Sequence, residues 1–154
     1  MTYNAFRTWV TGEVVNAAQM NEQIRDNGTE LAKGGFSVVI DGGGAAITTA
    51  SSIDVRVPYK SSISAVYMFA DQVGDIAIDI YKTLSSDFGD AQPNDSDSIT
   101  SSDTPTISCD DYDEDKALSG WTTALAEGDM LRFYVESCLA IEKCTIACDV
   151  SRSS

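Results

Sequence analysis

The sequence predicts an all-β protein, an antiparallel β-sandwich of jelly-roll type preceded by an N-terminal helical arm. Three observations predict it. After residue 35, apolar and polar residues alternate at a period of two in short runs. Turns rich in Gly, Pro and Asp separate about eight such runs, a number that suits two packed sheets. Residues 8–33 alone carry a sustained helical spacing. The chain of 154 residues is long enough for one domain with a sizeable core plus an arm. The boundary is expected between 1–35, the arm, and 36–154, the sandwich.

In the arm, Val14, Ala17, Ala18, Met20, Ile24 and Leu31 form an apolar stripe, while Glu13, Asn16, Gln19, Glu22, Gln23 and Arg25 take the other face. Thr11 is placed to cap the helix, which is expected to start near Gly12 and to end at Gly34-Gly35. Tyr3, Phe6 and Trp9 precede it and have no reason to sit in a solvated tail. The pattern leaves two occupants for the stripe, the chain's own sandwich or a neighbouring subunit. In the second case Phe6, Trp9, Val14, Ala17, Met20, Ile24 and Leu31 are the contact residues.

The body reads as strands. Residues 36–40 alternate, and Asp41-Gly42-Gly43-Gly44 is a turn, not a phosphate loop, because neither a lysine nor a helix follows it. Ile53, Val55, Val57 and Tyr59 share one face of the next run. Residues 63–70 are apolar on both faces, and residues 75–81 turn Ile76, Ile78 and Ile80 inward. With Gly74 as the turn, these two runs read as an antiparallel hairpin. Residues 85–115 form a long polar connection pinned by Ile99 and Ile107 and closing on a solvated acidic loop. Strands follow at 130–138, with Leu131, Phe133 and Val135 inward, and at 142–150, with Cys144, Ile146, Cys148 and Val150 on one face.

The charge narrows the chemistry. With 24 acidic against 10 basic residues the net charge is −14, which repels phosphate backbones and anionic lipid, so neither nucleic acid nor a membrane is an expected partner. No basic segment followed by an apolar run opens the sequence, and no stretch is long enough to span a bilayer. Synthesis in a cytoplasm follows. The absence of histidine excludes a Ser-His-Asp triad, a Cys-His dyad and histidine-ligated zinc. Asp71, Asp75 and Asp79 are the carboxylates left for a glycosidase, but Asp75 and Asp79 fall on the outward face of an alternating strand. Asp111, Asp113 and Asp115 imitate the start of a calcium loop, with Lys116 where that loop needs glycine. No enzyme activity, cofactor or metal is expected. Cys109, Cys138, Cys144 and Cys148 match no metal spacing and read as unpaired apolar fillers. Trp121, Tyr81 and Tyr134 are the aromatics suited to stacking on a sugar.

Trp9-x-x-Gly12-Glu13 followed by Asn21-x-x-Ile24-Arg25-Asp26-Asn27 resembles an N-terminal segment of structural proteins in tailed bacteriophages. Ile40-Asp41-Gly42-Gly43-Gly44, Ala70-Asp71-Gln72, Asp97-Ser98-Ile99-Thr100, Leu118-Ser119-Gly120-Trp121 and Gly128-Asp129-Met130-Leu131-Arg132-Phe133 extend the resemblance over nearly the whole chain. It implies a virion component: a capsid decoration or head-fibre subunit, or alternatively a tail-fibre, receptor-binding module that holds host glycan. It further implies a homo-oligomer, a trimer by family analogy, and contact with the major capsid protein or a tail component.

Overall fold

The computed structural model describes residues 3–153. It divides into two compact units, Met1–Gly34 and Gly35–Ser154.

In the first unit the helix is short and mixed: α1 (Ala17–Met20), a π-helical turn (Asn21–Asp26) and α2 (Asn27–Leu31). Asn16, not Thr11, caps it. Its side chain accepts from the Gln19 amide while Gln19 reaches back to the Asn16 amide, a reciprocal pair that satisfies two end donors at once. The predicted start near Gly12 is therefore five residues too early, because Gly12 holds φ +84° in a turn closed by Glu13 N–H to the Val10 carbonyl at 3.0 Å.

The second unit is mostly strand. β1 (Lys33–Asp41), β2 (Ser52–Arg56), β3 (Ser61–Leu84), β4 (Thr106–Asp115), β5 (Ala124–Leu125), β6 (Asp129–Leu139) and β7 (Lys143–Arg152) form a 7-stranded sheet ordered β1-β7-β3-β6-β2, with β4 and β5 also on β3. Every pairing with a defined register is antiparallel. β3 is the spine. Its first half pairs with β7 and its second half with β6, while β4 spans both halves on the opposite edge, so β6 and β7 follow one another along one side. A straight strand of its 24 residues would measure about 80 Å. It does not stay straight: Lys60, at its start, and Lys82 to Leu84, at its end, line one groove beside β5. The sheet thus curls around a core in which Val66, Met68, Ile76, Ile78, Ile80, Leu131, Phe133, Ile146 and Cys148 are all buried. Phe36 of β1 meets Phe133 of β6 edge to face across it, with 6.3 Å between ring centres.

Several expectations are corrected. The predicted hairpin of 63–70 and 75–81 is one continuous strand. Gly74 is not a turn residue; a Cβ there would lie 2.6 Å from the Leu139 carbonyl, so glycine is needed for the close approach of the β6–β7 corner. The acidic run is not a loop but the body of β4, paired to residues 66–69 and 74–77 of β3. Face assignments also shift: Ser64 is bulged between Ile63 and Ala65, so Ile63, Val66 and Met68 all point inward while Phe69 is exposed.

Candidate functional site

The first unit inverts the usual helix. Its buried side chains are polar, Gln23 and Asn27, at 7% and 0% exposure. The reason lies in residues 3–9, which have no helix or strand of their own and whose backbone needs partners. Asn4 N–H donates to Asn27 Oδ1 at 2.9 Å, Asn27 Nδ2 donates back to the Asn4 carbonyl at 2.8 Å, and Arg7 N–H donates to Gln23 Oε1 at 2.8 Å. The Arg7 guanidinium pairs with Glu13 and sits 4.7 Å over the Trp9 ring.

Within its own unit the apolar stripe is uncovered. Val14 is 87% exposed, Ile24 and Leu31 are each 60% exposed, Met20 44%, Phe6 60% and Trp9 43%; Ala17 is exposed too. These are the residues the sequence singles out, and within residues 3–34 they have no apolar cover.

In the body, Tyr81 and Tyr134 come together as a stacked pair with centres 5.4 Å apart, but Tyr81 is buried at 4% exposure and so is not the outward aromatic the sequence suggested. Burial, then the Asp79 charge, pushes its phenol up to about 12. Trp121 is held by a different segment, half-buried on the core with its indole N–H on the Asp103 carbonyl at 2.9 Å.

Asp79 is likewise buried, not solvated. Its Oδ1 accepts from Ile80 N–H at 2.6 Å, Ser98 Oγ at 2.9 Å and Thr100 Oγ1 at 2.5 Å, tying the long connection to β3. Glu136, the residue bulged between Val135 and Ser137 of β6, and Asp95 of the short 3-10 turn Asp95–Asp97 bring carboxylate oxygens within 4.8 Å of it and of each other. Asp79 is already engaged by three donors, and the other two acids are exposed. The group therefore clasps the connection; nothing in it selects a cation. Partial loss of solvent around its carboxyl, although the residue as a whole is exposed, and then the neighbouring Asp79 and Asp95 charges raise the Glu136 carboxyl above its ordinary range. An acid raised by folding adds stability below its unfolded value and loses it as pH rises through the folded one. Glu136→Gln is accordingly expected to raise the melting temperature slightly at pH 7 to 8, a gain that shrinks as the pH falls through the carboxylate range, as read by calorimetry across pH.

The other predicted acids have local tasks. Asp71 accepts from the Glu142 and Lys143 amides at the β6–β7 corner, and Asp75 accepts from Cys109 N–H and Ser108 Oγ at the start of β4. Spaced four residues apart along one strand, Asp75 and Asp79 are roughly 13 Å apart, and each holds a different segment. Asp111, Asp113 and Asp115 alternate along β4 and do not wrap a common centre; Asp115 caps the turn that follows through the Ala117 and Leu118 amides.

All four cysteines are free. Cys144 and Cys148 are buried core fillers whose thiols burial pushes up to about 12, whereas Cys109 is exposed. An aromatic disulfide reagent at neutral pH is expected to label Cys109 at once, and Cys144 and Cys148 only in denaturant, as mass spectrometry of the labelled chain will read.

No protein-family model matches the chain, and no curated protein matches it either. Among solved structures it is similar to a serine protease of Aeromonas sobria at 10% identity and a TM-score of 0.32, over 76% of this chain and 26% of that one. The chain thus spans about a quarter of the protease's length. Among the described residues no helix is long and apolar enough to cross a membrane.

Proposed function

We propose that this chain is a structural component of a tailed-bacteriophage virion, a head decoration or fibre subunit that attaches through residues 1–34 and projects its β body outward. The observation that carries the reading is the exposed Met20, Ile24 and Leu31 on a helix whose covered face is polar, with Val14 exposed just ahead of it. Fully burying side chains of this kind is worth about 1.5–3 kcal/mol each before ordering costs, so one arm contributes several kcal/mol to a contact. Repetition over a symmetric particle multiplies that into firm attachment.

Charge supports the same division of labour. Residues 1–34 carry three basic and four acidic side chains, while residues 35–154 carry seven and twenty. The body repels its neighbours and the arm does not. In this reading the body is a jelly-roll sandwich whose two layers are halves of one curled sheet, and the N-terminal segment is a helical arm. The partners are other copies, in a trimer, and virion proteins such as the major capsid protein or a tail component; the role is adhesive, without catalysis or cofactor. Assembly follows synthesis in the host cytoplasm. A receptor-binding module that stacks glycan on Trp121, Tyr81 and Tyr134 is disfavoured by the burial of Tyr81. The test compares the full chain with one lacking residues 1–34 for self-association and for retention on particles. Retention of the shortened chain at full occupancy would remove the basis of the proposal.

A further inference from the structure

The hydrogen bonds that hold residues 3–9 on the helix share one property. On the strap's side they use backbone atoms only: the amide and carbonyl of Asn4 and the amide of Arg7. On the helix's side they use Gln23 and Asn27, which lie one turn apart on the buried face. Such bonds are indifferent to whose backbone supplies them. A second copy's residues 3–9 would satisfy the same two side chains equally well.

Closure within one chain also leaves much undone. With the strap down, Tyr3, Phe6, Trp9 and Val10 remain 48%, 60%, 43% and 71% exposed, beside a helix stripe that is itself uncovered within its unit. The polar requirement is met and the apolar one is not. Between strap and helix lies a suitable hinge: the turn from Val10 to Glu13, with Gly12 at φ +84° and nothing within 4 Å of where its Cβ would stand.

From these features we infer that residues 3–9 are exchanged between copies of this chain, each strap lying on the next copy's helix. This rests on the reading that copies join through residues 1–34. Exchange keeps the three strap-to-helix hydrogen bonds of the closed form and gives up the hinge bond from Glu13 N–H to the Val10 carbonyl, and it brings the strap aromatics of one copy against the apolar stripe of another. Closure within a chain has the advantage of proximity, equivalent to millimolar concentration for a short flexible link; the additional apolar burial is what exchange offers against it. The near balance of charge in residues 1–34, three bases against four acids, lets the segments approach without the repulsion the bodies carry.

Two measurements on the full chain test it, both with Cys109→Ser to remove the exposed thiol. In the first, Asn4→Cys and Asn27→Cys chains of different mass tags are unfolded, mixed, refolded and mildly oxidised. A disulfide-linked pair holding one of each is expected; neither variant alone forms it. In the second, Thr11 and Gly12 are deleted. A hinge too short to fold back forbids closure on the chain's own helix and leaves exchange as the way to meet the same bonds, so the assembly is expected to resist dilution at least tenfold better in sedimentation. If the full chain assembles but no mixed pair forms and the shortened hinge does not strengthen assembly, exchange is overturned while arm-mediated assembly stands. If the full chain does not assemble at all, both fall.

Discussion

A chain lacking residues 1–34 is expected to fold, to unfold in one cooperative transition, and to sediment as a monomer at concentrations where the full chain associates. The buried core cluster runs from Val38 to Val150 and draws nothing from the removed segment. What the truncation removes is the apolar surface of Phe6, Trp9, Val14, Met20, Ile24 and Leu31, exposed in the full chain by 43% to 87%. Losing several kcal/mol of contact per subunit weakens each pairwise contact by orders of magnitude, since about 1.4 kcal/mol is a factor of ten. The separated body, with seven bases against twenty acids, carries a net charge that repels other copies, and screening it with salt is not expected to restore association. Analytical ultracentrifugation of both chains at low and high salt reads the result. Persistent oligomers of the truncated chain would move the contact surface to the body.

Phe133→Ala is expected to be the most damaging single change in the body. Phe133 is 0% exposed, lies on the central part of β6 opposite Ile80 and Ile53, and meets the Phe36 ring. Truncating such a ring leaves a cavity on top of the lost transfer energy, a cost of about 3–5 kcal/mol. Set against the roughly 5–15 kcal/mol that holds a whole domain together, this lowers the melting temperature by about 10–20 °C. Phe69→Ala is the control: same residue type, same sheet, but 46% exposed and facing Tyr112 on the outer surface. It should cost about 1 kcal/mol or less. Thermal unfolding of the two variants side by side reads the curl of the sheet, which makes Phe133 interior and Phe69 exterior.

The all-β class and the inward faces of β6 and β7 were legible because alternation survives there: Leu131, Phe133 and Val135, then Cys144, Ile146, Cys148 and Val150, are buried as their spacing implies. The apolar stripe of the arm was legible for the same reason, and its exposure could not be, since periodicity says which residues share a face and not what covers it. Elsewhere a single residue misled. Gly74 looked like a turn because glycine serves both turns and close approaches, and only the position of the Leu139 carbonyl distinguishes them. Five acids in six residues looked like a loop, yet an edge strand tolerates charge and is protected by it. Gln23 and Asn27 carried no signal at all: helical amides ordinarily face water, and their task depends on a backbone some twenty residues earlier in the chain.

The continuity of β3 has a mechanical corollary. Where two walls of a β protein are separate ribbons joined by loops, one wall can peel away while the other holds. Here a single ribbon is the backbone of both, anchored along one margin by β6 and β7 and along the other by β4. Detaching either wall means bending or stripping the shared ribbon itself, so partial opening brings little relief and the unit yields all at once.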